Sequence, residues 1–179
     1  FHIHSLEGLG IGDFETGSVS AGALMQYLTE TQKNSLSQLT KITPYVTGKY
    51  MVIDTSTRRN LELTETLREK NKRGSLLWIL DKTKTAMGAR LLKNYIEQPL
   101  IEKSEILKRQ GAIQALVNSA IDREELREYL NPIYDLERII SRIANNTANP
   151  RDLVSFRTSL EMLPPMKHIL GTFDDSMLT

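Results

Sequence analysis

Residues 135–143 read DLERIISRI, with Leu136, Ile139, Ile140 and Ile143 at the i, i+3, i+4 and i+7 spacing that lays one apolar stripe along an α-helix. Glu137, Arg138 and Arg142 fall between them, and Asp135 stands where a helix N-cap belongs. The whole stripe is expected to be buried, Ile140 included. Just downstream, Asn149 caps a second helix, with Pro150 at its first position and Asp152 near the positive end of the helix dipole. Leu153, Phe156, Leu160 and Leu163 share one face of that helix until Pro164 and Pro165 end or kink it.

Working upstream, the same period continues. Asp122 and Glu125 have capping-box spacing and open a short helix through Tyr129 before Pro132. A helix spans about 102–118, and another spans 85–97, carrying Met87, Leu91, Leu92, Tyr95 and Ile96 and closed by Pro99. Gly88 and Ala89 predict a close helix crossing there, where larger side chains would force the backbones apart. Leu61, Leu67, Leu76, Leu77, Ile79 and Leu80 begin this all-α part. Before it, the β-rich runs KITPYV and YMVID flank Thr47, Gly48 and Lys49 and predict a short hairpin, with Pro44 on an edge strand. Ala21, Leu24, Met25 and Leu28 give a helix from Gly17 to about Gln32, with Ser18 and Ser20 available as N-caps, and residues 1–16 read as a glycine-bearing loop. The expected fold is mainly α: an irregular multi-helix core over 41–179, preceded over 1–40 by a small α/β remnant.

Composition narrows the function class. Lys and Arg total 23 against 22 Asp and Glu, so the net charge of +1 supplies no bulk attraction to a polyanion, and any nucleic-acid contact needs a local patch or another domain. The chain has no cysteine, which excludes disulfides, thiolate metal sites and a Cys nucleophile and fits a reducing, cytoplasmic setting. No apolar run is long enough for a membrane span. Phe1 and Thr179 read as points inside a longer chain.

The usual chemistries fail on their own requirements. Gly12 and Gly17 have phosphate-loop separation, but Ser18 stands where the Lys is needed and Asp13 and Glu15 would repel phosphate. Gly48-Lys49-Tyr50 lacks the upstream glycine and the hydroxyl. Gly8, Gly10 and Gly12 do not continue as a dinucleotide fingerprint. His2 and His4 could share a strand face but have no third ligand nearby, and His168 is isolated. Glu124, Glu125 and Glu128 with Arg123 and Arg127 read as a solvated, ion-paired helix face. Arg68-Glu69-Lys70-Asn71-Lys72-Arg73-Gly74 concentrates four cations in a loop; phosphate contact is conceivable there, although no aromatic residue is interleaved for stacking on single strands and a solvated loop is the plainer reading. Lys82, Lys84, Arg90 and Lys93 form a more diffuse group that can equally pair with acids. No catalytic, cofactor-binding or metal-ligating residue is expected.

Three stretches, in this order, resemble the MutS family of mismatch-repair ATPases. They are Ala21-Gly22-Ala23-Leu24-Met25-Gln26-Tyr27-Leu28; then DTSTRRNLEL at 54–63 with Leu80-Asp81-Lys82-Thr83 and Thr85-Ala86-Met87-Gly88-Ala89-Arg90-Leu91-Leu92; then Asp135-Leu136-Glu137-Arg138 with Pro150-Arg151-Asp152-Leu153. The resemblance implies that 1–40 is the end of a connector domain with its linking helix, and that 41–179 is the N-terminal part of a helical core, or lever, domain. It implies a non-catalytic scaffold that transmits conformational change between connector, DNA clamp and ATPase domains. The whole protein would bind mismatched duplex DNA, itself as a homodimer, and a downstream repair factor. It would use ATP and Mg through a domain outside these residues, which themselves would make at most weak DNA contact. None of the family's functional residues maps onto a position here. Arg58, Arg59, Asn60 and Glu62 beside Asp54 read as a buried polar network. The competing reading is a self-contained α-helical protein-interaction module without a DNA role. Cut from its returning helices, the core would leave apolar surface uncovered on the last helix and around Met162, Met166, Ile169 and Leu170.

Overall fold

The computed structural model describes residues 11, 13–32, 36, 39, 41–43 and 47–178, so His2, His4, Gly8, Gly10, Gly12 and Pro44 lie outside the described residues. The chain separates into two compact units, Phe1–Thr47 and Gly48–Thr179. In the first, α1 covers Glu15–Thr31. It begins before the two serines expected to cap it: Ser18 Oγ donates back to Ile11 O (3.1 Å) and Ser20 Oγ to Thr16 O (2.9 Å), leaving Phe14 at the N-cap. None of its residues is buried, and Val19, Leu24 and Tyr27 are exposed.

The second unit is helical throughout. Six of its helices start where a side-chain oxygen satisfies an orphan amide. Asp54 caps α2 (Thr55–Asn60), Ser75 caps α3 (Leu76–Leu80), Thr85 caps α4 (Ala86–Glu97) and Glu102 caps α5 (Lys103–Asn118). After α6 (Ala120–Leu130), Asp135 caps α7 (Leu136–Ala144) and Asn149 caps α8 (Pro150–Glu161). In α9 (Leu163–Leu170), Pro164 and Pro165 occupy the first turn, where a missing N–H costs nothing, so the proline pair ends one helix and starts the next. Neighbours in space are α3 with α4, α5 with α6, α6 with α9, and α8 with both α7 and α9. Leu63, Leu77, Ala112, Leu126, Ile133, Ile139 and Ile169 form the buried apolar set.

Several expectations are corrected. The hairpin does not form among the described residues: Thr47–Lys49 is a single 3-10 turn, and the YMVID run pairs elsewhere. Tyr50 makes one antiparallel bridge with Leu100, Met51 N donates to Pro99 O (2.8 Å) and Ile101 N to Lys49 O (3.3 Å). The partner is therefore the segment that Pro99 forces out of helical geometry. Helix α6 opens a turn earlier than the Asp122–Glu125 spacing implies, with Ser119 Oγ donating to Asp122 Oδ2. The α7 stripe is narrower than expected: Ile139 is 3% exposed, whereas Ile140 is 52% exposed. Leu136 and Ile143 are half-buried, so the contact line of α7 runs through Ile139 with Ile140 at its edge. Gly88 serves no helix crossing; a Cβ there would meet Thr85 Oγ1 at 3.1 Å and Thr83 Cβ at 3.5 Å, so it makes room for the cap of its own helix. The expected network at 54–62 is largely solvated. Arg59 and Asn60 are exposed, Arg58 Nε donates to Ile53 O (3.0 Å), and Glu62 Oε1 accepts from Leu67 N (2.7 Å).

Candidate functional site

Two carboxylates that cap helices also receive arginines from other helices. On α4, Arg90 Nη1 and Nη2 donate to Asp135 Oδ2 and Oδ1, both at 2.7 Å, and its Nε donates to Glu137 Oε2 at 3.1 Å. This is the planar fork-to-carboxylate geometry that only arginine provides. Asp135 at the same time accepts from Arg138 N (3.3 Å) and lies 3.4 Å from Arg138 Nε. About two turns further along α7, Arg142 Nη2 and Nε donate to Asp152 Oδ1 (2.6 Å) and Oδ2 (3.1 Å). Asp152 is also the acidic half of a capping box, its Oδ2 accepting from Asn149 N (3.1 Å) while Asn149 Oδ1 accepts from Asp152 N (2.9 Å). The result is a ladder α4–α7–α8 whose rungs are Arg90–Asp135/Glu137 and Arg142–Asp152.

The ladder sets the protonation of its own members. The Arg90 guanidinium holds the Asp135 carboxyl below the usual carboxylate range, and the Arg142 guanidinium does the same for Asp152. Arg90 is pushed further up by Asp135 and then Glu137. These shifts keep Arg90, Asp135 and Asp152 charged at neutral pH, so the rungs persist there.

Other joints are fixed by single groups. Ser159, with 0% exposure, accepts from Tyr134 N (3.0 Å) and donates to Ser155 O (2.8 Å), tying the segment before α7 to α8. Arg123 Nη1 donates to Leu116 O (3.2 Å) and Val117 O (3.4 Å), closing the last carbonyls of α5 from α6. Arg109 of α5 stacks 3.7 Å over the Tyr95 ring of α4. Lys72, in the loop before α3, pairs with Asp81 just after it. The Asp81 carboxyl is pulled down to about 2 by Lys72, then by the Thr83 hydroxyl.

The residues considered for chemistry fall apart in space or into solvent. Glu124 lies 3.4 Å from Arg127 and 3.5 Å from Arg123 on an exposed face. Gly48, Lys49 and Tyr50 line a cleft of about 550 Å³ with Tyr95, Glu105 and Arg109. Leu160, Leu163, Met166, Leu170 and Leu178 line an apolar groove; Leu153, Leu160 and Leu163 are exposed, Phe156 is half-buried, and Ile169 is fully covered. Among the described residues no three His, Cys, Asp or Glu side chains cluster as metal ligands, and no helix is long and apolar enough to cross a membrane. The rungs of the ladder were missed as a site because Arg90 stood only in a diffuse cationic group. The available signal was that Asp135 and Asp152 each belong to a family stretch and each lie at the N-terminal end of a helix, Asp135 as the cap of α7 and Asp152 in the first turn of α8.

The family model for MutS domain III matches residues 56–178. The DNA mismatch repair protein MutS of Lachnoclostridium phytofermentans is 61% identical over 178 residues, covering 99% of this chain and 19% of that protein. The MutS proteins of Alkaliphilus oremlandii (48% over 178 residues, 99% of this chain and 20% of that protein) and Ruminiclostridium cellulolyticum (45% over 166 residues, 93% and 19%) are similar along the same stretch. The chain spans about a fifth of the length of the curated relatives it matches.

Proposed function

The chain belongs to the MutS family, and on that premise we propose that it is a non-catalytic scaffold segment of a mismatch-recognition ATPase, relaying conformational change between connector, DNA clamp and ATPase domains. Residues 1–40 are then the end of the connector with its linking helix and 41–179 the first part of the helical core. The whole protein binds mismatched duplex DNA, acts in the cytoplasm as a homodimer with a downstream repair factor, and turns over ATP with Mg in a domain other than this one.

The observation that carries the reading is the ladder. Three helices separated in sequence are coupled through charge-assisted, two-pronged pairs anchored on helix caps, so a displacement of α4 is passed to α7 and α8 as rigid bodies. The test is made in the full-length protein that contains this chain. Arg90→Gln and Arg142→Gln should leave ATP turnover without DNA within about twofold and weaken the response of turnover to a mismatch by about tenfold, the size of an ordinary coupling energy. If both variants fold and respond to mismatches like the parent, the relay reading is wrong.

A further inference from the structure

The loop between α2 and α3 is built to hold its shape. Thr66 N donates to Asn71 O (3.0 Å), Lys70 N to Thr66 O (3.1 Å) and Ser75 N to Lys72 O (3.1 Å). Glu62, Lys70 and Gly74 take φ values of 48°, 49° and 96°. A Cβ at Gly74 would come within 3.0 Å of Thr66 Cγ2, so the turn admits only glycine without strain. The Lys72–Asp81 pair clips this loop to the stretch after α3, where Asp81 Oδ1 also accepts from Thr83 N and Oγ1. Two basic segments, 68–73 and 82–84, are thereby fastened at adjoining points.

From Glu62 to Lys84 there are six cations and four carboxylates. Three of the carboxylates are engaged: Glu62 accepts from Leu67 N, Glu69 from Asn71 Nδ2, and Asp81 from Lys72. Glu65 lines a cleft beside Lys72, Arg90 and Lys93. Of these cations only Lys72 is paired among the described residues. Arg68, Lys70, Arg73, Lys82 and Lys84 are exposed, and none forms an ion pair among the described residues. Six cations against four carboxylates leave this stretch with a net charge of about +2, twice that of the whole chain, and five of the cations stand exposed on the two segments that the Lys72–Asp81 pair clips together, which gives a local positive bias.

We infer that Arg68, Lys70, Arg73, Lys82 and Lys84 together form a docking surface for the phosphate backbone of duplex nucleic acid. This inference rests on the DNA-repair reading above, which favours a polyphosphate over an acidic protein. With no aromatic residue among the five, the surface reads backbone charge and not bases, and it holds matched and mismatched duplexes alike. Contact is weak and sensitive to salt, because its strength comes from counterion release.

The test is fluorescence anisotropy of the chain with a short labelled duplex between about 20 and 200 mM potassium chloride. Each phosphate contact contributes about 0.9 to the slope of log affinity against log salt, so changing all five cations to glutamine should flatten the slope by two units or more. Affinity at the low-salt end should fall about tenfold or further. A control variant, Lys108→Gln with Arg127→Gln and Arg157→Gln, removes paired cations and should bind as the parent does. Circular dichroism checks that both variants keep their helices. A slope unchanged in the five-fold variant overturns the proposal, as does a parent chain that does not bind at low salt. Displacement of the labelled duplex by polyglutamate as readily as by unlabelled duplex also overturns it, in favour of an acidic protein partner. These outcomes leave the mismatch response of the ladder variants untouched, so the two readings fail separately.

Discussion

Arg90 and Asp135, 45 residues apart, meet in a two-pronged pair at 2.7 Å on each prong, and the same Asp135 carboxylate caps the helix that follows it. Removing the carboxylate therefore costs two things at once. Asp135→Ala should destabilise the helical unit by about 1 to 2 kcal/mol, from the lost cap and the unpartnered guanidinium together. Asp135→Asn retains one acceptor oxygen for Arg138 N but loses the charge and one of the two acceptors for Arg90, so it should fall between parent and Ala. Urea denaturation followed by circular dichroism measures all three. An alanine variant as stable as the parent would show that neither role matters. In a cycle with Arg90→Met, the two single changes should combine to less than their sum.

What could be read in advance was whatever is local to a few residues. The caps at Asp135 and Asn149, with Pro150 and Asp152 following, carry their signal within four positions, and both helices start where that signal says. Two of the family stretches turn out to touch: Arg90 from the second grips Asp135 and Glu137 from the third, and Arg142, which lies in none of them, grips Asp152, also from the third. Which acid an arginine finds is decided by tertiary placement, so those pairs were invisible beforehand. The same holds for Tyr50, whose bridge to Leu100 spans three helices in sequence, and for which isoleucine of α7 faces inward.

Acid should loosen the unit over a defined range. Asp81 is pulled from its usual 3.8 to about 2, and Asp54, Asp135 and Asp152 are also held low, each by hydrogen bonds or ion pairs present only in the folded chain. A carboxyl whose folded pKa lies below its unfolded value contributes stability that is complete above the unfolded pKa and is lost as pH falls through the folded one. Melting temperature should thus be flat above about pH 5 and decline from about pH 4 toward about pH 2. Asp81→Asn should start lower and fall less steeply. A decline centred near pH 6 would point to groups other than these carboxylates.

The phase of α7 gives a comparison within one helix. Ile139 is 3% exposed and Ile140 is 52% exposed, so Ile139→Asp buries an unpaired carboxylate while Ile140→Asp leaves it largely in water. The first should cost several kcal/mol, on the order of the whole stability of a small domain, and the second about 1 kcal/mol or less. Thermal melts of the two variants decide the matter: equal damage from both would mean that the apolar face of α7 is centred between them.

Ser159 has no exposed surface, and its hydroxyl both receives Tyr134 N and donates to Ser155 O, so it works as a joint between the segment preceding α7 and the body of α8. Alanine at this position would take the acceptor from the Tyr134 amide and the donor from the Ser155 carbonyl, at a cost of about 1 kcal/mol. Ser155→Ala is the matched control, because the acceptor there is a backbone carbonyl that the change leaves in place; it should lie within about 0.5 kcal/mol of the parent. Hydrogen exchange gives the residue-level readout. In the Ser159→Ala chain the Tyr134 amide should lose most of its protection while the amides in the middle of α8 keep theirs, since the helix retains its own ladder of bonds. If Tyr134 exchanges at the parent rate after the substitution, the joint is held by packing around Ile133 and Ile139, and the buried hydroxyl is incidental to it.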